Sequence, residues 1–134
     1  MVLAISLLEY YEQIRAQAAR VPAARSSTRQ ELFRRLLIGR EYIHSHCVDP
    51  ISLAAVARAA CLSPFHFHRG FTRAFQETPH SYLTGLRLAQ ARNMIARGTS
   101  VLDACVAVGF SSPSAFSRLF RKRFGYAPSQ FKAN

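Results

Sequence analysis

Residues 63–82, SPFHFHRGFTRAFQETPHSY, and residues 112–131, SPSAFSRLFRKRFGYAPSQF, are two copies of one unit. At an offset of 49 the identical pairs are Ser63/Ser112, Pro64/Pro113, Phe67/Phe116, Arg69/Arg118, Phe71/Phe120, Phe75/Phe124 and Pro79/Pro128. Upstream the offset falls to 48, pairing Ser52 with Ser100, Leu53 with Val101, Ala57 with Cys105 and Leu62 with Phe110. A one-residue difference is cheapest in a turn, so each copy reads as helix, short turn, helix. In the first, Ser52 caps a helix with Leu53, Val56, Ala57 and Ala60 inward, and Ser63 caps a second with Pro64 in its first turn. In the second, Ser100 and Asp103 form a capping box, and Ser112-Pro113 repeats the later start. Gly109 supplies the second turn freely, whereas Cys61 at the equivalent place is strained if it takes positive φ.

Outward from this repeat, helical periodicity dominates and strand alternation is nearly absent. A longer helix starts at Thr78-Pro79 and ends at Gly98. At 1.5 Å per residue it spans roughly 28 Å, short of the ~34 Å between neighbouring major-groove entries. Thr28 with Glu31 predicts a capping box for a helix over about 29–46, with Leu32, Phe33, Leu36, Leu37 and Ile43 as its inner stripe. An amphipathic segment over about 2–20 carries Leu3, Leu7, Tyr10, Ile14 and Ala18, and VPAARSS after it reads as a linker. The expected fold is all-α: two helix-turn-helix subdomains (about 52–75 and 100–124) joined by a linker helix (about 79–97), plus an extra N-terminal helix. Residues 1–28 form the N-terminal helix and linker, and residues 29–134 the domain proper.

The formal charge of +11 is uneven. Residues 1–28 carry a net +1 and the remaining chain +10, the footprint of a polyanion-binding surface. Sixteen of the 18 basic residues are Arg, suited to forked contacts with phosphate and guanine. No apolar run approaches the roughly 18–20 residues of a membrane helix, and the N-terminus lacks the basic start of a secretory signal. Cys47, Cys61 and Cys105 show no paired spacing and read as reduced core fillers, which suits a cytoplasmic, nucleoid-associated protein. His44/His46 and His66/His68 lie two residues apart, a spacing that does not chelate on a helix. No metal, no cofactor and no catalytic set is expected, and the protein is read as not an enzyme.

Helical projection assigns the faces of the two later helices. Phe67, Phe71, Ala74 and Phe75 gather inward, leaving Phe65, His68, Arg69 and Thr72 outward. In the second copy Phe116, Phe120 and Phe124 turn in, and Ser114, Ser117, Arg118 and Arg121 turn out. Arg69 suits the O6 and N7 edge of guanine, and Phe65 a thymine methyl. Phosphate contacts are expected from Ser63, His66, Thr72 and Arg73, and from Ser112, Arg121, Lys122 and Arg123. A sequence-indifferent packaging protein would share the charge but has no use for two repeated recognition helices.

These motifs resemble the C-terminal DNA-binding domain of the AraC/XylS transcriptional regulators, over about residues 35–132. The matching blocks are Ala57…Leu62-Ser63…Phe67-His68-Arg69…Phe71, then Arg87-Leu88-x-x-Ala91-x-x-Met94-Ile95. A third runs from Val108-Gly109-Phe110 through Phe116-x-Arg118-x-Phe120 to Gly125 and Pro128. The resemblance implies a bacterial transcription factor, often an activator, that binds an asymmetric promoter site in double-stranded DNA and contacts RNA polymerase. It places base reading on Phe65, His68 and Arg69, and on Ser114, Ser117 and Arg118. In size the chain resembles the short stand-alone members of the MarA and SoxS type, or a piece of a longer regulator. A monomer on DNA is expected, with residues 2–20 as the candidate pairing surface and the duplex bent toward the protein. Three departures touch the first unit: Gly70 replaces a larger apolar residue, and Gln76 and Cys61 each replace a glycine.

Overall fold

The computed structural model describes residues 2–20 and 26–131, so most of the expected linker (21–25) lies outside the described residues. Seven helices follow one another: α1 (Val2–Ala19), α2 (Ser26–Ser45), α3 (Leu53–Ala59), α4 (Pro64–Phe75), α5 (Pro79–Ala96), α6 (Val101–Ala107) and α7 (Pro113–Phe124). A 3-10 turn, Pro128–Gln130, comes last, and no strand occurs among the described residues. The fold is all-α. No helix among the described residues is long and apolar enough to cross a membrane. The chain divides into two compact units, one of residues 1–42 and 52–79, the other of 43–51 and 80–134.

The repeated helix starts form as their serines dictate. Ser52, Ser63, Ser100 and Ser112 each sit in extended backbone and accept the amide three residues on, at 3.1–3.2 Å. Each side-chain oxygen thereby satisfies an amide that the helix itself leaves open. The turns also match. Leu62 N–H donates to Ala57 C=O at 2.9 Å and Phe110 N–H to Cys105 C=O at 3.1 Å, while Cys61 and Gly109 each donate three residues back. That paired closure demands a left-handed residue at the turn. Gly109 takes φ +93 and Cys61, despite its side chain, takes φ +56. The same substitution of side chain for glycine recurs at the end of α4. Gln76 adopts φ +60 where Gly125 adopts +84 after α7. Gln76 compensates by donating from Nε2 to the Arg73 carbonyl at 2.9 Å; for Cys61 we find no such side-chain bond among the described residues.

Left-handed backbone costs a residue with a side chain about 1–2 kcal/mol, and glycine's extra freedom in the unfolded chain returns about 0.4–1. Cys61→Gly is therefore expected to stabilise the protein by about 0.5–1 kcal/mol. Urea denaturation reads this as a higher midpoint at unchanged slope. A lower midpoint would remove strain at this turn from the account.

In the first unit, Phe33 and Leu36 of α2, Val56, Ala57 and Ala60 around α3, and Phe67, Phe71 and Ala74 of α4 are buried together. Leu53, expected inside, is 39% exposed, because the first turn of so short a helix overhangs the core. Gly39 is the tightest point. A β-carbon there would lie 2.3 Å from Cε2 of Phe67, so α2 meets the ring with bare backbone. Gly70 has a similar reason. Its β-carbon would stand 3.2 Å from Cδ2 of Leu36, so the missing side chain on α4 admits Leu36 of α2.

Two local expectations for the N-terminal region change. α2 begins at Ser26 rather than near residue 29, so Thr28 and Glu31 sit inside the helix and form no capping box. Glu31 instead accepts from Arg34 at 2.8 and 3.0 Å and from Arg35 at 3.1 Å, hydrogen bonds that draw its carboxyl down to about 2. α1 packs on α4, and in its C-terminal half Ile14 and Ala18 are half-buried. Leu7, Leu8, Tyr10 and Tyr11 remain 60–67% exposed.

The second unit buries Leu88 and Ala91 of α5, Ala104 and Cys105 of α6, Val108, and Phe116 and Phe120 of α7. Met94, Ile95, Phe110, Leu119 and Phe124 close around them. Burial pushes the Cys105 thiol up, as suits a small core filler, and Cys47 is buried as well. Cys61 departs from that expectation: it is exposed, because a left-handed turn residue points its side chain away from the helices it joins. At the C-terminus Arg92 of α5 lies 4.9 Å over Phe124 and 5.2 Å over Phe131, anchoring the segment after α7.

Candidate nucleic-acid interface

In each unit a longer helix precedes the repeated pair, α2 in the first and α5 in the second, and the sequence repeat does not mark it. With an offset of 52, α2 and α5 correspond: Arg35-Leu36…Arg40…Ile43 aligns with Arg87-Leu88…Arg92…Ile95. The geometry agrees. Arg40 covers Phe75 at 4.5 Å as Arg92 covers Phe124 at 4.9 Å. Arg35 reaches the carbonyl of Cys61 at 3.4 Å, and the Arg87 guanidinium lies 3.3 Å from a β-carbon placed on Gly109, the equivalent turn residue. Arg87 also donates to the carbonyls of Cys47 at 2.6 Å and Asp49 at 2.8 Å, holding the segment after α2 against α5. Sequence reasoning named Arg87 only as part of a family block and gave these arginines no role, although the shared Arg-Leu pair at a shifted offset carried the signal.

α4 presents its outer face as expected. Phe67 and Phe71 are fully buried, and on the other side Phe65, His68, Arg69 and Arg73 are exposed. Phe65 is 66% exposed, its ring edge-on to His66 at 5.6 Å, which excludes a role as an internal staple. Ser63 does double service at the helix start: besides accepting the His66 amide, its hydroxyl bonds Nδ1 of that imidazole at 2.6 Å. Thr72 is half-buried, and its hydroxyl donates to the His68 carbonyl at 2.7 Å. Arg69 stands beside a recess lined by Leu32, Leu62, His66 and Gly70.

α7 repeats the arrangement with smaller side chains. Phe116 and Phe120 are buried, Ser114, Arg118 and Arg121 exposed, and Ser117 half-buried. Ser112 and Ser114 share a hydrogen bond at 3.1 Å at the helix start. Lys122 and Arg123 are exposed but line a cleft against α5, with the Arg123 guanidinium 3.1 Å from a β-carbon placed on Gly85. Among the described residues no group of three or more His, Cys, Asp or Glu side chains is arranged to hold a metal ion. In each unit the arrangement offers a helix start with open amides, a forked cation one turn in, and further cations along the same helix. Such a surface suits an anionic partner.

Comparison with known proteins agrees with that chemistry. The family model described as "Helix-turn-helix domain" matches residues 56–134. The chain is 36% identical over 89 residues to the HTH-type transcriptional regulator CdhR of Pseudomonas aeruginosa, covering 66% of this chain and 26% of that protein. It is 34% identical over 92 residues to the HTH-type transcriptional activator RhaS of Escherichia coli, covering 68% of this chain and 33% of that protein. The chain thus spans between about a quarter and a third of the length of these curated relatives. A probable AraC family transcriptional regulator from Rhodopseudomonas palustris superposes with a TM-score of 0.69 at 26% identity, over 72% of this chain and 93% of that one. An AraC-type regulator from Chromobacterium violaceum gives 0.68 at 26%, over 72% and 88%.

Proposed function

The chain belongs to the AraC/XylS family of helix-turn-helix transcription regulators, and from that premise we propose that it binds promoter DNA sequence-specifically through α4 and α7. The observation that carries this reading is the repeated split of the two helices. Paired phenylalanines are sealed inside, and Arg69 and Arg118 stand exposed at the same place on the outer face. Phe65, His68 and Arg69, with Ser114, Ser117 and Arg118, read base edges. Ser63, His66, Thr72, Arg73, Ser112 and Arg121 to Arg123 hold phosphates. Residues 29–134 act as the DNA-binding domain, a monomer on an asymmetric site, with the two helices in successive major grooves and the duplex bent toward the protein. The bend costs about 1–6 kcal/mol, depending on sequence, and is offset by engagement of both helices. The protein acts as an activator, a role supported by RhaS, an activator by its name, and in that role it touches RNA polymerase.

Selection of bound sequences from a random duplex pool tests the core of this proposal. On the selected site, Arg69→Ala is expected to cost ~1–3 kcal/mol and to relax preference at particular bases. Arg121→Gln is expected to weaken all sequences alike and to lower the salt slope by about 1. Identical behaviour of the two variants would overturn the division between reading and holding. Failure of the pool to converge would favour a sequence-indifferent binder.

A further inference from the structure

The cleft between α5 and α7 shares two equivalent positions with the recess beside Arg69, Thr84 with Leu32 and Leu119 with Gly70, but its cations have no equivalent there. In the first unit the position equivalent to Gly85 is Phe33, a buried ring packed 6.1 Å from Phe75, and the position equivalent to Arg123 is the buried Ala74. The second unit reverses the sizes, with glycine on the first helix and arginine on the last. An apolar plug is thus replaced by a guanidinium lying over bare backbone, and a cleft of about 520 Å3 opens beside it. It is lined by the half-buried Leu119 and the edge of the almost wholly buried Leu88, by Thr84, His80 and Ser81, and by Lys122 and Arg123. No carboxylate among the described residues lies within 4 Å of either cation.

Two adjacent cations left without a counter-ion beside an apolar lining define a ligand chemistry. A backbone phosphate of DNA needs a charged surface and gains little from a concave apolar lining. Small-molecule sites, by contrast, are concave, mostly apolar, roughly 300–1,000 Å3 in volume, and oriented by a few polar groups. We infer that this cleft binds a small amphipathic anion, an apolar body on Leu88 and Leu119 with a carboxylate or phosphate head on Lys122 and Arg123. The binding site stands on the cleft alone. Its consequence rests on the DNA-binding reading: an occupied cleft withdraws two cations from the phosphates, so ligand and DNA weaken each other by the same factor.

Methyl NMR of the full chain, without DNA, tests the site with 2-naphthoate as probe and 2-naphthalenemethanol as its neutral counterpart. The expected result is saturable shifts of the Thr84, Leu88 and Leu119 methyls with naphthoate, and at least tenfold weaker binding of the alcohol. Equal binding of the two, no shift at millimolar probe, or shifts confined to the recess beside Arg69 would each overturn the inference. Lys122→Gln is expected to weaken naphthoate several-fold and leave the alcohol unchanged. Because Arg123 packs over Gly85, Arg123→Gln is read only after its melting curve shows a folded chain, and Lys122→Gln keeps the test decisive if it does not. On the selected DNA, saturating naphthoate is expected to lower affinity and reduce the salt slope by about 1–2. Lost DNA affinity in Lys122→Gln with no naphthoate binding would leave the DNA reading standing and remove the ligand site.

Discussion

Gly39→Ala is expected to destabilise the protein by about 2 kcal/mol or more, although helix propensity alone predicts the opposite sign. Alanine in the middle of α2 gains about 1 kcal/mol over glycine. Against that stands a β-carbon 2.3 Å from Cε2 and 2.7 Å from Cζ of Phe67, separations no pair of carbons tolerates. Relief requires moving the Phe67 ring, which is fully buried and packed 5.5 Å from Phe71, or sliding α2 off α4. Overpacking of this kind typically costs 1–3 kcal/mol and occasionally more, and here the obstacle is a rigid ring rather than a flexible side-chain end. The steric term wins. Chemical denaturation of the two chains measures the difference directly, and an alanine variant as stable as the parent would show that α2 and α4 do not approach this closely.

Arg87→Met is expected to cost about 2–3 kcal/mol, with Arg87→Lys recovering less than half of it. The guanidinium donates from two different nitrogens to the carbonyls of Cys47 and Asp49, at 2.6 and 2.8 Å, and passes over Gly109. Hydrogen bonds from a charged donor contribute about 1.5–3 kcal/mol each, and the more exposed of these two is discounted for solvent. Methionine keeps much of the apolar stem and abandons both carbonyls. Lysine keeps the charge but presents a single point, which does not bridge two acceptors in a fork. Thermal melts of the three chains separate these cases. Full recovery with lysine would mean that charge, rather than geometry, fixes the segment after α2.

Much of the candidate interface was legible because its signals are local. Ser63-Pro64 and Ser112-Pro113 announce helix starts, and the spacing of Phe67, Phe71, Phe116 and Phe120 fixes which faces are sealed, hence where Arg69 and Arg118 stand. What stayed hidden depends on partners distant in sequence. Nothing near Gly39 announces the Phe67 ring, and nothing near Arg87 names the carbonyls of Cys47 and Asp49. The correspondence of α2 with α5 was obscured because the offset moves from 49 to 52, and their shared residues thin to a few positions. The Thr28–Glu31 pattern misled for a physical reason. Glu31 has Arg34 and Arg35 one turn ahead, and two guanidiniums outbid one backbone amide. Gly70, an anomaly in one dimension, becomes a fitted surface in three.

Cys61 offers an experimental address. The other two thiols, Cys47 and Cys105, are sealed in the interior, so a maleimide dye or spin label meets a single open sulfur on the native chain. That sulfur sits two residues ahead of Ser63, where α4 begins, with no mutation needed to install it. A reporter placed there watches the start of α4 from within the native sequence, and preparations stored without reductant are expected to cross-link through the same atom.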